Sequence, residues 1–109
     1  FETWQKRDMG ATYEKRTDAL PAAVKDVNCT YANGKLTVNI SGGDNSVWHY
    51  NVYKVGFDET ASYLNMIGQT ETGSLVYDIT SKGEFYIIVQ PESNEGVYGA
   101  AMKIKITIG

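Results

Sequence analysis

Cysteine and histidine occur once each among the 109 residues, and proline and tryptophan only twice. A lone Cys29 excludes an internal disulfide and a cysteine zinc cluster. A lone His49 limits the choice of catalytic base, and the Gly-x-Ser-x-Gly nucleophile elbow that a serine triad of that kind needs is absent. Charge of one sign is missing too: ten Lys and Arg stand against thirteen Asp and Glu, a net charge of −3 without a basic stripe. Nucleic-acid binding therefore has no electrostatic footing. Long apolar runs are lacking as well. The best, around residues 86–89, is far short of the ~20 residues a membrane helix needs, so no membrane insertion is expected. No signal peptide is visible, and a chain that starts at Phe1 reads as an excised fragment or a processed product.

What is present favours strands. Glycine and tyrosine are plentiful, and valine, isoleucine and threonine recur in short runs suited to a pleated, half-buried surface. The length fits one domain with one two-layer core and little room for a deep pocket. Residues 1–20 differ from the rest: four acidic and four basic side chains mix with Phe1, Trp4 and Tyr13 without strand or helix period, which reads as a linker or the tail of a preceding domain. Leu20-Pro21 marks the boundary of a second region, 21–109.

From Pro21 onward the chain reads as short strands divided by turn signals. Expected strands cover about 24–32, 35–41, 47–55, a weaker 63–69, then 74–80, 84–90 and 100–108. Asn33-Gly34 between the first two is a strong type I′ hairpin signal, because both central residues of that turn need positive φ. Leu36, Val38 and Ile40 alternate with polar residues, as do Met102, Ile104, Ile106 and Ile108, while Phe85, Ile87 and Val89 form the inward row of a more apolar strand. Seven short strands without a 3.6-residue period predict an all-β fold, a seven-stranded antiparallel β-sandwich.

The order and spacing of these segments resemble a fibronectin type III domain, an immunoglobulin-like sandwich. The resemblance rests on Pro21 with Val24-Lys25-Asp26-Val27, on Leu36 to Ile40, on Tyr50-Asn51-Val52-Tyr53, and on Tyr77-Asp78-Ile79, Gly83 and Phe85 to Val89. Ile40 stands where the family usually has tryptophan, and Phe85 where it has its corner tyrosine. The resemblance implies an extracellular or cell-surface accessory module, of the type that accompanies secreted bacterial carbohydrate-active enzymes, with no catalytic residues, no cofactor and no metal.

Candidate contact residues follow from the alternation. If Phe85, Ile87 and Val89 point inward, Tyr86 and Ile88 point outward beside Tyr53 and His49 of the neighbouring strand, with Lys103 and Lys105 at the border. Tyr53, Tyr86, Ile88 and His49 are thus expected to form an apolar outer patch. Such a patch suits an adjacent domain of the same polypeptide or a protein partner; isolated surface aromatics and a glycan-stacking platform are the other readings. A module spacing or docking other domains is the expected function, and a carbohydrate-binding module using Tyr53, Tyr86 and Trp48 the alternative. His49 is expected at the surface. Asp44, Glu92 and Glu95 lie in loops expected at one end of the sandwich, where they read as solvated charge rather than a calcium site, and Cys29 reads as a small inward hydrophobe. The sequons at Asn28 and Asn39 fall inside strands and read as chance.

Overall fold

A computed structural model describes residues 20–80 and 82–108; of the expected linker 1–20, residues 1–19 lie outside the described residues. Among the described residues seven strands follow in chain order: β1 Asp26–Ala32, β2 Lys35–Ser41, β3 His49–Val55, β4 Met66–Thr70, β5 Ser74–Asp78, β6 Gly83–Glu92 and β7 Met102–Ile108. They form an antiparallel sandwich of a three-stranded sheet, β1-β2-β5, and a four-stranded sheet, β4-β3-β6-β7. No helix among the described residues is long and apolar enough to cross a membrane.

The alternation seen in the sequence sets which side chains enter the core. Leu36 and Val38 of β2 meet Tyr50 and Val52 of β3 and Ile87 and Val89 of β6, with Ile79 and Ile108 closing the cluster. Each such aliphatic side chain, fully withdrawn from water, contributes about 1.5–3 kcal/mol. Phe85 and Ile40 both pack against this core, and the Lys54 ammonium lies 4.9 Å from the centre of the Phe85 ring, a cation over an aromatic face.

Local signals explain the connections. Asn33 and Gly34 adopt φ of 54° and 78°, so β1 and β2 pair in tight register from Ala32 opposite Lys35 to Asp26 opposite Ser41. That register places Asn28 opposite Asn39, with both side chains exposed. Strand β6 runs two residues past its expected end at Gln90, through Pro91. The proline is tolerated because β6 and β7 stop pairing at Val89 and Met102, and the Pro91 carbonyl then accepts from Gly99 N at 2.9 Å. The expected strand 63–69 instead begins with a 3₁₀ turn, Tyr63–Asn65, and becomes extended only at Met66. A register shift beside Val52 and Tyr53 then pairs Val52 with Gly68 but Tyr53 with Met66. This bulge brings the Met66 side chain over the outer face of β3.

Candidate contact surface and its polar margin

The outer face of the four-stranded sheet is built by the alternate residues of β3 and β6. Opposed in register are His49 and Glu92, Asn51 and Gln90, Tyr53 and Ile88, and Val55 and Tyr86. This face divides into two halves. Tyr53, Val55 and Ile88 form a second apolar cluster, against which Met66 and Tyr86 pack. Beyond them, Glu92 Oε1 accepts from His49 Nε2 at 2.7 Å and from Asn51 Nδ2 at 3.0 Å, while Gln69 Nε2 donates to Asn51 Oδ1 at 2.8 Å. The Tyr53 hydroxyl donates to Gln90 Oε1 at 3.2 Å and ties the two halves together.

The four residues expected to make an exposed patch are therefore brought onto one face, yet they do not offer it to solvent. Tyr53 is 6% exposed, Ile88 7% and His49 6%, and Tyr86 is half-buried. The expectation of a free apolar patch is corrected. Its physical reason is that Met66, brought over the sheet by the bulge, and Tyr86 pack on Tyr53, Val55 and Ile88, while the segment 56–65 that leaves β3 meets this cluster at Tyr86. Gly56 N donates to Glu59 Oε1 at 2.6 Å, closing a turn. The Phe57 ring lies 6.0 Å from the Tyr86 ring. Lys103 Nζ donates to the Phe57 and Glu59 carbonyls at 3.3 and 3.2 Å and lies 5.0 Å from the centre of the Tyr86 ring. A lysine expected at the rim of a contact site thus fastens the 56–59 turn beside Tyr86.

His49, expected at the surface, is buried for a second reason: the Trp48 ring stacks on it at 4.1 Å, and Glu92 holds its other side. Trp48, whose alternation places it inward, stays partly exposed. Burial pushes the Glu92 carboxyl up, but the hydrogen bonds from Asn51 and His49, with attraction to the His49 ring, outweigh it and hold the group below the usual glutamate value. Burial, and then the nearby Tyr98 and Glu92, push the Tyr53 phenol up. Glu92 is committed to the sheet face and Asp44 Oδ1 to Ser46 N at 2.8 Å, so the loop acids are engaged separately. Among the described residues no three His, Cys, Asp or Glu side chains gather as a metal-ligating group. Cys29 packs against the main core, and burial pushes its thiol up to about 11.

Three large apolar side chains are exposed instead on the segment between β3 and β4: Phe57 at 77%, Tyr63 at 83% and Leu64 at 83%. The Ser62 hydroxyl accepts from Leu64 N at 3.1 Å, and Asn65 N donates to Ser62 O at 2.8 Å, so the 3₁₀ turn holds Tyr63 and Leu64 outward. The sequence signal was available in Ser62-Tyr63-Leu64-Asn65, a capping residue followed by two apolar ones, but it reads equally well as the start of a weak strand.

Compared by sequence, the chain matches no family model and no curated protein. Compared by structure, it is similar to the crystal structure of the Clostridium perfringens spore cortex lytic enzyme SleM, with a TM-score of 0.62 and 17% identity over 80% of this chain and 28% of the enzyme. It is also similar to the solution structure of the fibronectin type-III domain of human fibronectin type III domain containing protein 3, with a TM-score of 0.63 and 14% identity over 87% of this chain and 92% of that one. This chain spans less than a third of the lytic enzyme's length and nearly all of the human domain. With its three- and four-stranded sheets in the order described, the chain has the fibronectin type III fold.

Proposed function

We propose that this sandwich is a non-catalytic accessory module of a longer secreted or cell-surface polypeptide, and that it docks onto a neighbouring domain through the segment between β3 and β4. The observation that carries the reading is the outward display of Phe57, Tyr63 and Leu64 on a segment whose backbone is tied down by Glu59, Ser62 and Lys103. Large apolar groups grouped on one rigid projection are a feature of contact sites, whereas scattered single ones are ordinary surface. In this reading residues 1–20 tether the sandwich to what precedes it.

The likeness to part of a lytic enzyme supports a place within a longer protein, since the aligned region makes up 28% of that enzyme's chain. The absence of a reaction is supported by the state of the reactive groups. His49 Nε2 is engaged by Glu92, and the Cys29 thiol is pushed away from its nucleophilic form. The carbohydrate alternative loses its first platform, because Tyr53 and Tyr86 have no free faces to stack on a ring.

The test is amide hydrogen exchange on the isolated 109-residue chain and on the longer polypeptide that carries it. Residues 57–65 should gain protection in the longer polypeptide, and a Tyr63→Ser, Leu64→Ser double substitution should remove that gain. Equal exchange in the two settings, or a gain confined to the three-stranded sheet, would contradict the proposal.

A further inference from the structure

A recess unrelated to the docking segment lies at one end of the sandwich, between the β2–β3 loop and the β4–β5 loop. It is lined by Gly43, Asp44, Val47, Tyr50, Glu71 and Thr72, among others, and has a volume of about 360 Å³. That size falls at the lower end of small-ligand sites. We propose that it binds one ring of a neutral saccharide, with the Asp44 and Glu71 carboxylates accepting from ring hydroxyls and the Tyr50 hydroxyl donating to one.

Tyr50 is the group that turns a surface recess into a candidate site. It rises from the inner face of β3 and is only 5% exposed. Its hydroxyl ends at the wall of the recess, where a side chain on Gly43 would overlap the hydroxyl oxygen. Among the described residues this hydroxyl has no hydrogen-bond partner, although the nearby Tyr53 hydroxyl finds Gln90. A buried hydroxyl that the described residues leave without a partner is uncommon, and this one is free to bond a group held in the recess. Burial, and then the Asp44 charge, push the Tyr50 phenol up, so it stays protonated and able to donate at neutral pH.

The ligand class follows from what the lining groups offer. Ionised carboxylates only accept hydrogen bonds, while the phenol can donate as well as accept, so a ligand that answers every group must both donate and accept. A metal ion or an ammonium group could meet the phenol oxygen but accepts nothing, and leaves the Tyr50 O–H proton without an acceptor. An anion meets two carboxylates. Each sugar hydroxyl donates once and accepts twice, which answers both kinds of group. A metal ion is disfavoured also because no three ligating side chains gather among the described residues, whereas calcium takes six to eight oxygens. Asp44 is prepared for the role: the Ser46 hydroxyl and then Ser46 N, the latter at 2.8 Å, donate to its Oδ1, which holds the carboxyl below its usual range and leaves Oδ2 for a ligand. On the other side of Glu71 and Thr72 a second groove is lined by Trp48, His49 and Gln69, with the Trp48 ring fixed by its stack on His49. A following ring of an oligosaccharide would lie there.

The test is a titration of the isotope-labelled 109-residue chain, followed through its amide resonances, with cellotetraose, chitotetraose and mannotetraose. At least one should produce saturable shifts at Gly43 and Thr72. Tyr50→Phe should weaken binding by about tenfold, the loss of one hydrogen bond, while leaving the fold intact because the hydroxyl serves no described protein group. Tyr53→Phe, on the outer face, should leave the affinity unchanged. Three results would each overturn the assignment: no shift with any of the three sugars, shifts that Tyr50→Phe leaves unaltered, or the same amides responding to calcium chloride alone. The exchange test of residues 57–65 reads a different segment, so this site and the docking reading fail separately.

Discussion

His49 Nε2 and Asn51 Nδ2 converge on a single oxygen, Glu92 Oε1, at 2.7 and 3.0 Å. The side chains of His49 and Glu92 are 7% and 15% exposed, so the contact is more sheltered than an ordinary surface pair. Glu92→Ala leaves two buried donors without an acceptor and is expected to destabilise the chain by about 1–3 kcal/mol in urea unfolding. Glu92→Gln, which keeps one carbonyl acceptor, should lose less.

The same contact sets an acid limb. Because the folded Glu92 carboxyl sits below its ordinary value of about 4.3, the unfolded chain binds the proton first as pH falls. Its stabilisation is therefore complete above roughly pH 5 and is lost as pH drops through 4.3 toward the lower folded value. The stability difference between the native chain and Glu92→Gln should shrink over that window. A difference that stays constant from pH 6 to about pH 3 would show that Glu92 gains nothing from its partners.

A residue on the outer face of a sheet is usually cheap to truncate, but Ile88 is not in that position. Packed with Tyr53 and Val55 and against Met66 and Tyr86, it is expected to behave as core, with Ile88→Ala costing about 2–4 kcal/mol. Val76→Ala on the exposed face of the other sheet should change stability by less than about 0.5 kcal/mol. Denaturant midpoints of the two variants give the comparison.

The two tyrosines of β3 should respond in opposite ways to loss of their hydroxyls. Tyr53→Phe removes the hydrogen bond to Gln90 and is expected to cost about 1 kcal/mol. Tyr50→Phe removes a buried hydroxyl that has no described partner, and should be neutral or slightly stabilising. Thermal unfolding of both variants reads the sign directly.

Cys29 offers a chemical check on the core. With its thiol pushed up to about 11 by burial, the folded chain should react with an aromatic disulfide reagent at pH 8 at least about tenfold more slowly than the urea-unfolded chain. Equal rates would mean that the β1 edge does not shelter the sulfur.

The sandwich was legible in the sequence because its causes are local. Period-two alternation in Leu36-Thr37-Val38-Asn39-Ile40 and in Met102 to Ile108 fixes which face is buried, and Asn33-Gly34 fixes the first hairpin. The same alternation also paired Tyr53 with Ile88 and placed Tyr86 and His49 beside them. What lies over that face is not legible. Met66 reaches it through a bulge in the pairing of β3 and β4, and Lys103 is fastened to the Phe57 carbonyl, 46 residues away in the chain. The burial of His49 is hidden for a related reason: its partner Glu92 is 43 residues away, beyond a proline that signals a strand end. The place of the Tyr50 hydroxyl against Gly43 is a property of folded geometry and leaves no mark in the sequence.

The most direct measurement is hydroxyl-radical footprinting of the isolated chain, read residue by residue by mass spectrometry. Oxidation should be fast at Phe57, Tyr63 and Leu64 and slow at Tyr53 and Ile88. If Tyr53 and Ile88 are oxidised as readily as Tyr63, the sheet face lies open, and the module would meet its neighbours across that face rather than through the segment 56–65.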